Sequence, residues 1–209
     1  MVNIKPVIVL IDGRNLGGEF KTWRSYRLEK LVYIVLDRFQ KCLVGKGYDI
    51  KFELKRVYYY YSIITEIPDR VPKDTREKWV IEKDKDNKFM DAISDLVLFE
   101  VRKGYRVPRF DNDLNRWYLK EKGVDMYIGV DIVRFSRRYP YILLISGDSD
   151  LSYAIEKSKE EGLPELTVAV FIPGNQLSTN LRDSSDISFN ITDEDIKKAG
   201  GNKLRKINY

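Results

Sequence analysis

The sequence predicts a three-layer α/β fold, with a mostly parallel central sheet and helices on both faces. Three observations predict it. Short apolar runs rich in β-branched residues, Pro6 to Ile11, Tyr141 to Ile145 and Leu166 to Ile172, have the length and continuity of strands buried on both faces. Segments with helical apolar spacing lie between them. Strand and helix alternate along the chain, the order that a parallel sheet with right-handed crossovers requires.

The first strand, Pro6 to Ile11, stops at Asp12-Gly13, and Gly17-Gly18 follow in a loop. From Trp23 to Val44 the apolar positions Leu28, Leu31, Val32, Val35, Leu36 and Phe39 fall at helical spacing. Ile50 to Ile64 reads as the second strand and contains Tyr58-Tyr-Tyr-Tyr61, which as alternating strand residues are expected to pack rather than to stack on bases. Residues 65 to 88 are mostly polar, with Pro68, Pro72 and the charge run Glu82 to Asp86, and read as a loop or surface insertion. Helical spacing resumes through Phe89, Ile93, Leu96, Val97 and Val101, predicting a helix over Lys88 to Arg102. Tyr105 to Phe110 and Arg116 to Leu119 are short strands, and Gly123 to Phe135 is a helix. After the buried strand Tyr141 to Ile145 come a helix over Ser149 to Glu161 and the strand Leu166 to Ile172. A short helix over Asn175 to Leu181 and a last strand, Ile187 to Ile191, complete the pattern. The 209 residues suit one domain, residues 1 to 192, followed by a polar basic tail, 193 to 209, that is expected to fray.

Composition narrows the chemistry. Hydrophobic residues make up 43% and charged residues 33%, a globular balance. No apolar run approaches the ~20 residues of a membrane span, and the N-terminus lacks the features of a signal peptide. One cysteine, Cys42, excludes an intramolecular disulfide and a cysteine-rich zinc site, and fits a cytoplasmic setting. There is no histidine, which removes Ser-His-Asp and Cys-His catalysis and histidine-based cleavage of RNA. A hydrolase built from this sequence is left with carboxylates and a metal ion. A net charge of +5 and a pI near 9.0 permit a polyanionic partner without demanding one.

In a sheet of this kind, ligands bind outside the carboxyl ends of the strands. The polar residues that directly follow the buried strands are Asp12, Gly13 and Asn15, then Ser146, Gly147, Asp148, Ser149 and Asp150. Asp125 lies in the first turn of the helix from Gly123, which is expected to start at the same edge. Singly, each has a structural explanation. Asp12 can make a turn, Asp148 can cap a helix, and Asp125 is favoured by a helix dipole. Together, aspartates from three segments converge on one rim, where their mutual repulsion is relieved by a cation that takes oxygen ligands, such as Mg2+ or Mn2+. Asp125 is seven residues from Ile132, so the two share a helix face to within ~20° and Asp125 points inward. Asp131 reads as partly buried, either satisfied by neighbours or supporting the metal ligands from behind.

These residues carry a resemblance. Ile11-Asp12-Gly13-Arg14-Asn15-Leu16 resembles the opening motif of the NYN domains, the PIN-like nuclease group that includes the LabA-like proteins. Lys122-Gly123-Val124-Asp125 followed by Asp131 resembles the second motif, Ser146-Gly147-Asp148-Ser149-Asp150 the third, and Ser185 to Phe189 the closing strand. The resemblance implies a PIN-like fold, a Mg2+ or Mn2+ site and ribonuclease activity. It places the metal ligands on Asp12, Asp125, Asp148 and Asp150, with Asn15 assisting in catalysis. Two departures stand out: Leu151 occupies a position where phenylalanine is common, and the segment 65 to 88 has no counterpart.

The expected reaction is attack of water on an RNA phosphodiester, with Ser146 and Asn15 orienting water or a phosphate oxygen. Arg14, Lys21, Arg24 and Arg27 are candidates to hold phosphates, with a solvated helix start as their alternative. Single-stranded or structured RNA is the expected partner, DNA is an alternative substrate, no membrane is involved, and a homodimer is left open. A non-catalytic RNA-binding scaffold is the alternative function. Asp148-Ser-Asp150 has the spacing of a phosphatase DxD motif but follows the wrong strand, and no phosphate-binding Gly-x-x-x-x-Gly-Lys loop is present.

Overall fold

The computed structural model describes residues 3–16, 25–173 and 178–200. Seven strands and six helices occur among them, in the order β1 (Asn3–Asp12), α1 (Ser25–Gly45), β2 (Ile50–Ile64), α2 (Lys73–Ser94), β3 (Phe99–Asp111), β4 (Arg116–Lys122), α3 (Val124–Ser136), β5 (Tyr141–Ile145), α4 (Ser152–Glu161), β6 (Thr167–Pro173), α5 (Thr179–Ser184), β7 (Ile187–Ile191) and α6 (Asp193–Lys198). One sheet holds all seven strands in the order β4-β3-β2-β1-β5-β6-β7. Every pairing is parallel except that of β3 with β4. The expected mostly parallel α/β architecture is therefore the observed one.

The two-residue period of the strands makes the layers. On β1, Val7, Val9 and Ile11 face one apolar cluster with α1, α2 and α6, while Ile8 and Leu10 face a second with α3, α4 and α5. The tyrosine run divides the same way, Tyr59 and Tyr61 to the first face and Tyr58 and Tyr60 to the second. All four are buried, so they pack the core. No described helix is long and apolar enough to cross a membrane.

Three expectations are corrected. The polar segment 65 to 88 is not a loop throughout, because α2 begins directly after Pro72 and carries most of it. Trp79, Asp86, Met90 and Ile93 recur on its buried face, and the charge run is paired: Lys88 with Asp84 at 2.7 Å, and Glu82 and Asp86 with the buried Arg106. The helix expected over Lys88 to Arg102 ends at Ser94, and Leu98 at φ +68° turns the chain into β3. Val97, one of the apolar positions behind that expectation, is 78% exposed, while Phe99 and Val101 face the core as alternating strand residues. The segment expected to fray after 192 forms α6, closed by a reciprocal capping box between Thr192 and Asp195, with Ile196 and Ala199 buried. Residues 201–209, Lys21, Arg24 and the start of the helix expected from Asn175 lie outside the described residues.

The chain leaves β1 toward β2 and β3 on one side and later returns to lay β5 against its other side. The gap between the carboxyl ends of β1 and β5 is thus a topological switch point. β4 runs antiparallel, and a helix following it would ordinarily start at the far edge. It starts at the carboxyl rim because β3 overshoots β2. Ile64 at the end of β2 pairs with Arg106, and Val107 to Asp111 run on to pair with Lys120 to Arg116 of β4. β4 comes back only as far as Lys122, opposite Tyr105, and α3 begins there. Gly104 makes the junction possible, since a Cβ there would stand 2.6 Å from the Val124 side chain. Gly123, at φ +89°, makes the turn itself.

Candidate metal centre

Asp12 ends β1 and is only 2% exposed. Its Oδ1 accepts the backbone N–H groups of Arg14 at 3.2 Å and Asn15 at 3.3 Å. Its Oδ2 accepts the Asn15 amide at 2.5 Å and the Ser146 hydroxyl at 3.0 Å. Burial pushes its pKa up from 3.8 to about 6, against the lowering effect of these hydrogen bonds and with a further push from Glu121. Gly13 is required beside it: a Cβ there would lie 2.5 Å from the Tyr59 ring and 2.8 Å from the Tyr60 carbonyl.

The loop after β5 is tied to the loop after β1. Gly147 N–H donates to Asn15 Oδ1 at 3.3 Å, and Asp148 N–H donates to Ser146 Oγ at 3.1 Å. Asp148 caps the 3-10 turn Ser149–Leu151 by accepting the Asp150 N–H at Oδ1, 3.0 Å away. The capping role of Asp148 and the turn-forming role of Asp12 are thus both real. They coexist with convergence: Asp12, Asp125 and Asp148 each place a carboxylate oxygen within 4.8 Å of the others. Asp125 enters from the first turn of α3, and its pKa is raised by partial burial first and then by the charges of Asp148, Glu121 and Asp150. The donor set is all carboxylate oxygen, the kind of set that hard divalent cations take. Burial and like charge act together against ionisation here, and a cation removes that conflict.

The other expected residues are placed as follows. Asp150 is exposed and adjacent, close enough to act on Asp125 by charge, but is not one of the three converging carboxylates. Asp131 is buried two turns along α3, accepts the Tyr60 hydroxyl at 2.7 Å and lies 3.8 Å from the Arg102 guanidinium. Arg14 is at the rim and pairs with Glu121 at 3.0 Å while donating to Ser62 at 3.1 Å. Arg27 lies beside Gly200, just past α6. Glu121 and Ser62, themselves hydrogen-bonded, are residues that sequence reasoning missed. Glu121 sits between Lys120 and Lys122 in β4, and nothing in that pattern separates it from an ordinary surface acid.

A family model described as "NYN domain" matches residues 6–192, nearly the whole chain, and the chain belongs to that family. None of the curated proteins compared matches it. Among solved structures it is similar in fold to VPA0982 from Vibrio parahaemolyticus RIMD 2210633, described as a protein of unknown function, with a TM-score of 0.52 at 18% identity over 91% of this chain and 94% of that one. At that identity the likeness concerns the fold alone.

Proposed function

We propose that this NYN domain is a metal-dependent ribonuclease that hydrolyses RNA phosphodiester bonds with Mg2+ or Mn2+. The observation that carries the reading is the convergence of Asp12, Asp125 and Asp148 from three separate segments at the switch point of the sheet. Membership of a PIN-like nuclease family, the absence of histidine and the +5 net charge support it.

Asp12, Asp125 and Asp148 would hold the ion, with exposed Asp150 beside them to receive a water. When bound, the ion supplies Lewis acidity, lowering the pKa of water and offsetting charge that develops on the phosphate. The protein's own groups fix the geometry. Asn15 and Ser146 hold one oxygen of Asp12, and two backbone N–H groups hold the other, so the carboxylate cannot rotate away. The Arg14 guanidinium is held at the rim by Glu121 and Ser62, where it can meet a phosphate oxygen of the substrate. DNA remains a competing substrate class.

The test is cleavage of a labelled single-stranded RNA and its DNA counterpart, with Mg2+ or Mn2+, by the wild type and by Asp148→Asn. We expect metal-dependent cutting of RNA that falls by about 100-fold or more in the variant, on the scale of losing one electrostatic contact to the transition state. Equal cutting by the two proteins overturns the assignment. Retained RNA binding with no cutting by either favours an RNA-binding scaffold.

A further inference from the structure

The β3–β4 ribbon that overhangs the rim has two unlike faces. Residues directly opposite in an antiparallel pair share a face. One face carries Arg106, Leu119 and Trp117. Leu119 and Trp117 pack against Ile64, Val71 and Trp79, so this face belongs to the body of the protein. The other face pairs Tyr105 with Lys122, Val107 with Lys120, Arg109 with Tyr118 and Asp111 with Arg116. Arg109, Arg116, Lys120 and Lys122 are all exposed on it, against one acid, Asp111, whose carboxylate is taken up by the backbone N–H groups of the hairpin loop.

Elsewhere in the molecule Arg14, Arg38, Arg76, Arg102, Arg106 and Arg137 each pair with an acid. None of the four ribbon cations does so with a described residue. Lysines on an edge strand commonly guard against strand addition. That role does not account for Tyr105 and Tyr118, whose side chains on the same face are 42% and 39% exposed. The face is about 20 Å long from Tyr105 to Asp111. It ends at Lys122, three residues from Asp125, so their Cα atoms are at most about 11 Å apart.

We propose that this face is a platform for single-stranded RNA, with bases stacking on Tyr105 and Tyr118 and phosphates held by Arg109, Arg116, Lys120 and Lys122, which leads the strand to the carboxylate site. It rests on the reading of that site as a ribonuclease for its substrate class. Charge complementarity selects a polyanion, and the exposed rings select one with unstacked bases over a duplex.

The experiment measures binding of a fluorescent single-stranded RNA by anisotropy in EDTA across a salt series, then cutting in Mg2+, for three ribbon variants. For Arg109→Gln/Arg116→Gln/Lys120→Gln we expect binding at least ~10-fold weaker and a log–log salt slope shallower by about 2, the value for three lost phosphate contacts on a single strand. For Tyr118→Ala we expect a loss of roughly 5- to 100-fold, restored in Tyr118→Phe. Unchanged binding and cutting in all three overturns the platform while leaving the nuclease standing. Ribbon-dependent binding with no cutting by the wild type keeps the platform and removes the nuclease. Loss in the charge variant without loss in Tyr118→Ala, or equal affinity for duplex, overturns the stacking role. Ribbon-dependent pairing of two copies in light scattering, with RNA binding untouched, reassigns the face to protein contact.

Discussion

The switch point between β1 and β5 and the seam between α2 and β3 both bury aspartate, but only the seam supplies its counter-charge. Asp86, 4% exposed, receives the Arg106 guanidinium and the Tyr61 hydroxyl, and Glu82 shares the same arginine. Asp131 has Arg102 at 3.8 Å, and Asp195 has Arg38 at 2.7 Å. Asp12 is the most buried of the four and has neutral donors only: two backbone N–H groups, one amide and one hydroxyl. Among the described residues no cation pairs with it, the Asp125 and Asp148 carboxylates converge on it, and Glu121 pushes its pKa further up. Where this chain buries an acid for structure, it brings an arginine from its own sequence. At the switch point no described residue does so for Asp12, and a cation of the kind proposed would relieve that imbalance.

That contrast breaks most readily at the seam. Asp86→Ala leaves Arg106 buried with only Glu82 to face and strips the Tyr61 hydroxyl of its acceptor. The expected loss is about 3 to 5 kcal/mol, measured by urea denaturation, with Mg2+ affinity unchanged. A loss below ~1 kcal/mol would mean that the seam pair is no better compensated than the rim.

The next effect is at the rim. The folded-state pKa of Asp12, about 6, is above its usual 3.8, so the metal-free folded state holds this proton more tightly than the unfolded chain. The contribution is fully present below about pH 4 and is lost as pH rises through about 6, amounting to about 3 kcal/mol. Urea denaturation in EDTA should therefore show stability falling between pH 5 and 7.5, with the fall flattened in Asp12→Asn. Mg2+ binds the ionised form, so it should stabilise the wild type far more at pH 7.5 than at pH 5. A Mg2+ effect independent of pH, or one that survives in Asp12→Asn, would take Asp12 out of the metal site.

Much of this was legible in the residues, for reasons that differ from place to place. Strands such as Val7–Ile11 and Tyr141–Ile145 are buried on both faces, so their continuous apolar runs left little else for them to be. Asp12 and Asp148 were legible because polar residues that directly follow such strands must lie at one edge of a parallel sheet. α2 was not, because its buried face is built from Trp79, Asp86, Met90 and Ile93, and Asp86 is paired with Arg106, which lies on another element. A pairing across 20 residues leaves no periodic mark. Asp125 was expected at the rim because a helix that follows a parallel strand starts there, but the strand before α3, β4, runs antiparallel. It arrives there through the overshoot of β3, which depends on hairpin register that sequence pattern does not fix.

Asp131 gives the smallest effect and the sharpest division between the two kinds of acid. It lies on the same helix as Asp125, yet its partners are those of a seam acid, Tyr60 and Arg102. Tyr60→Phe removes one hydrogen bond to a buried charge while Arg102 stays in place, and should cost about 1 to 2 kcal/mol in urea denaturation. If Asp131 is structural, Mg2+ affinity measured by calorimetry will not change in this variant. If it orients the metal ligands from behind, affinity should fall by about 10- to 100-fold. The second result would extend the charge-deficient region one layer deeper along α3, and the boundary would then run through Tyr60 rather than around Asp12.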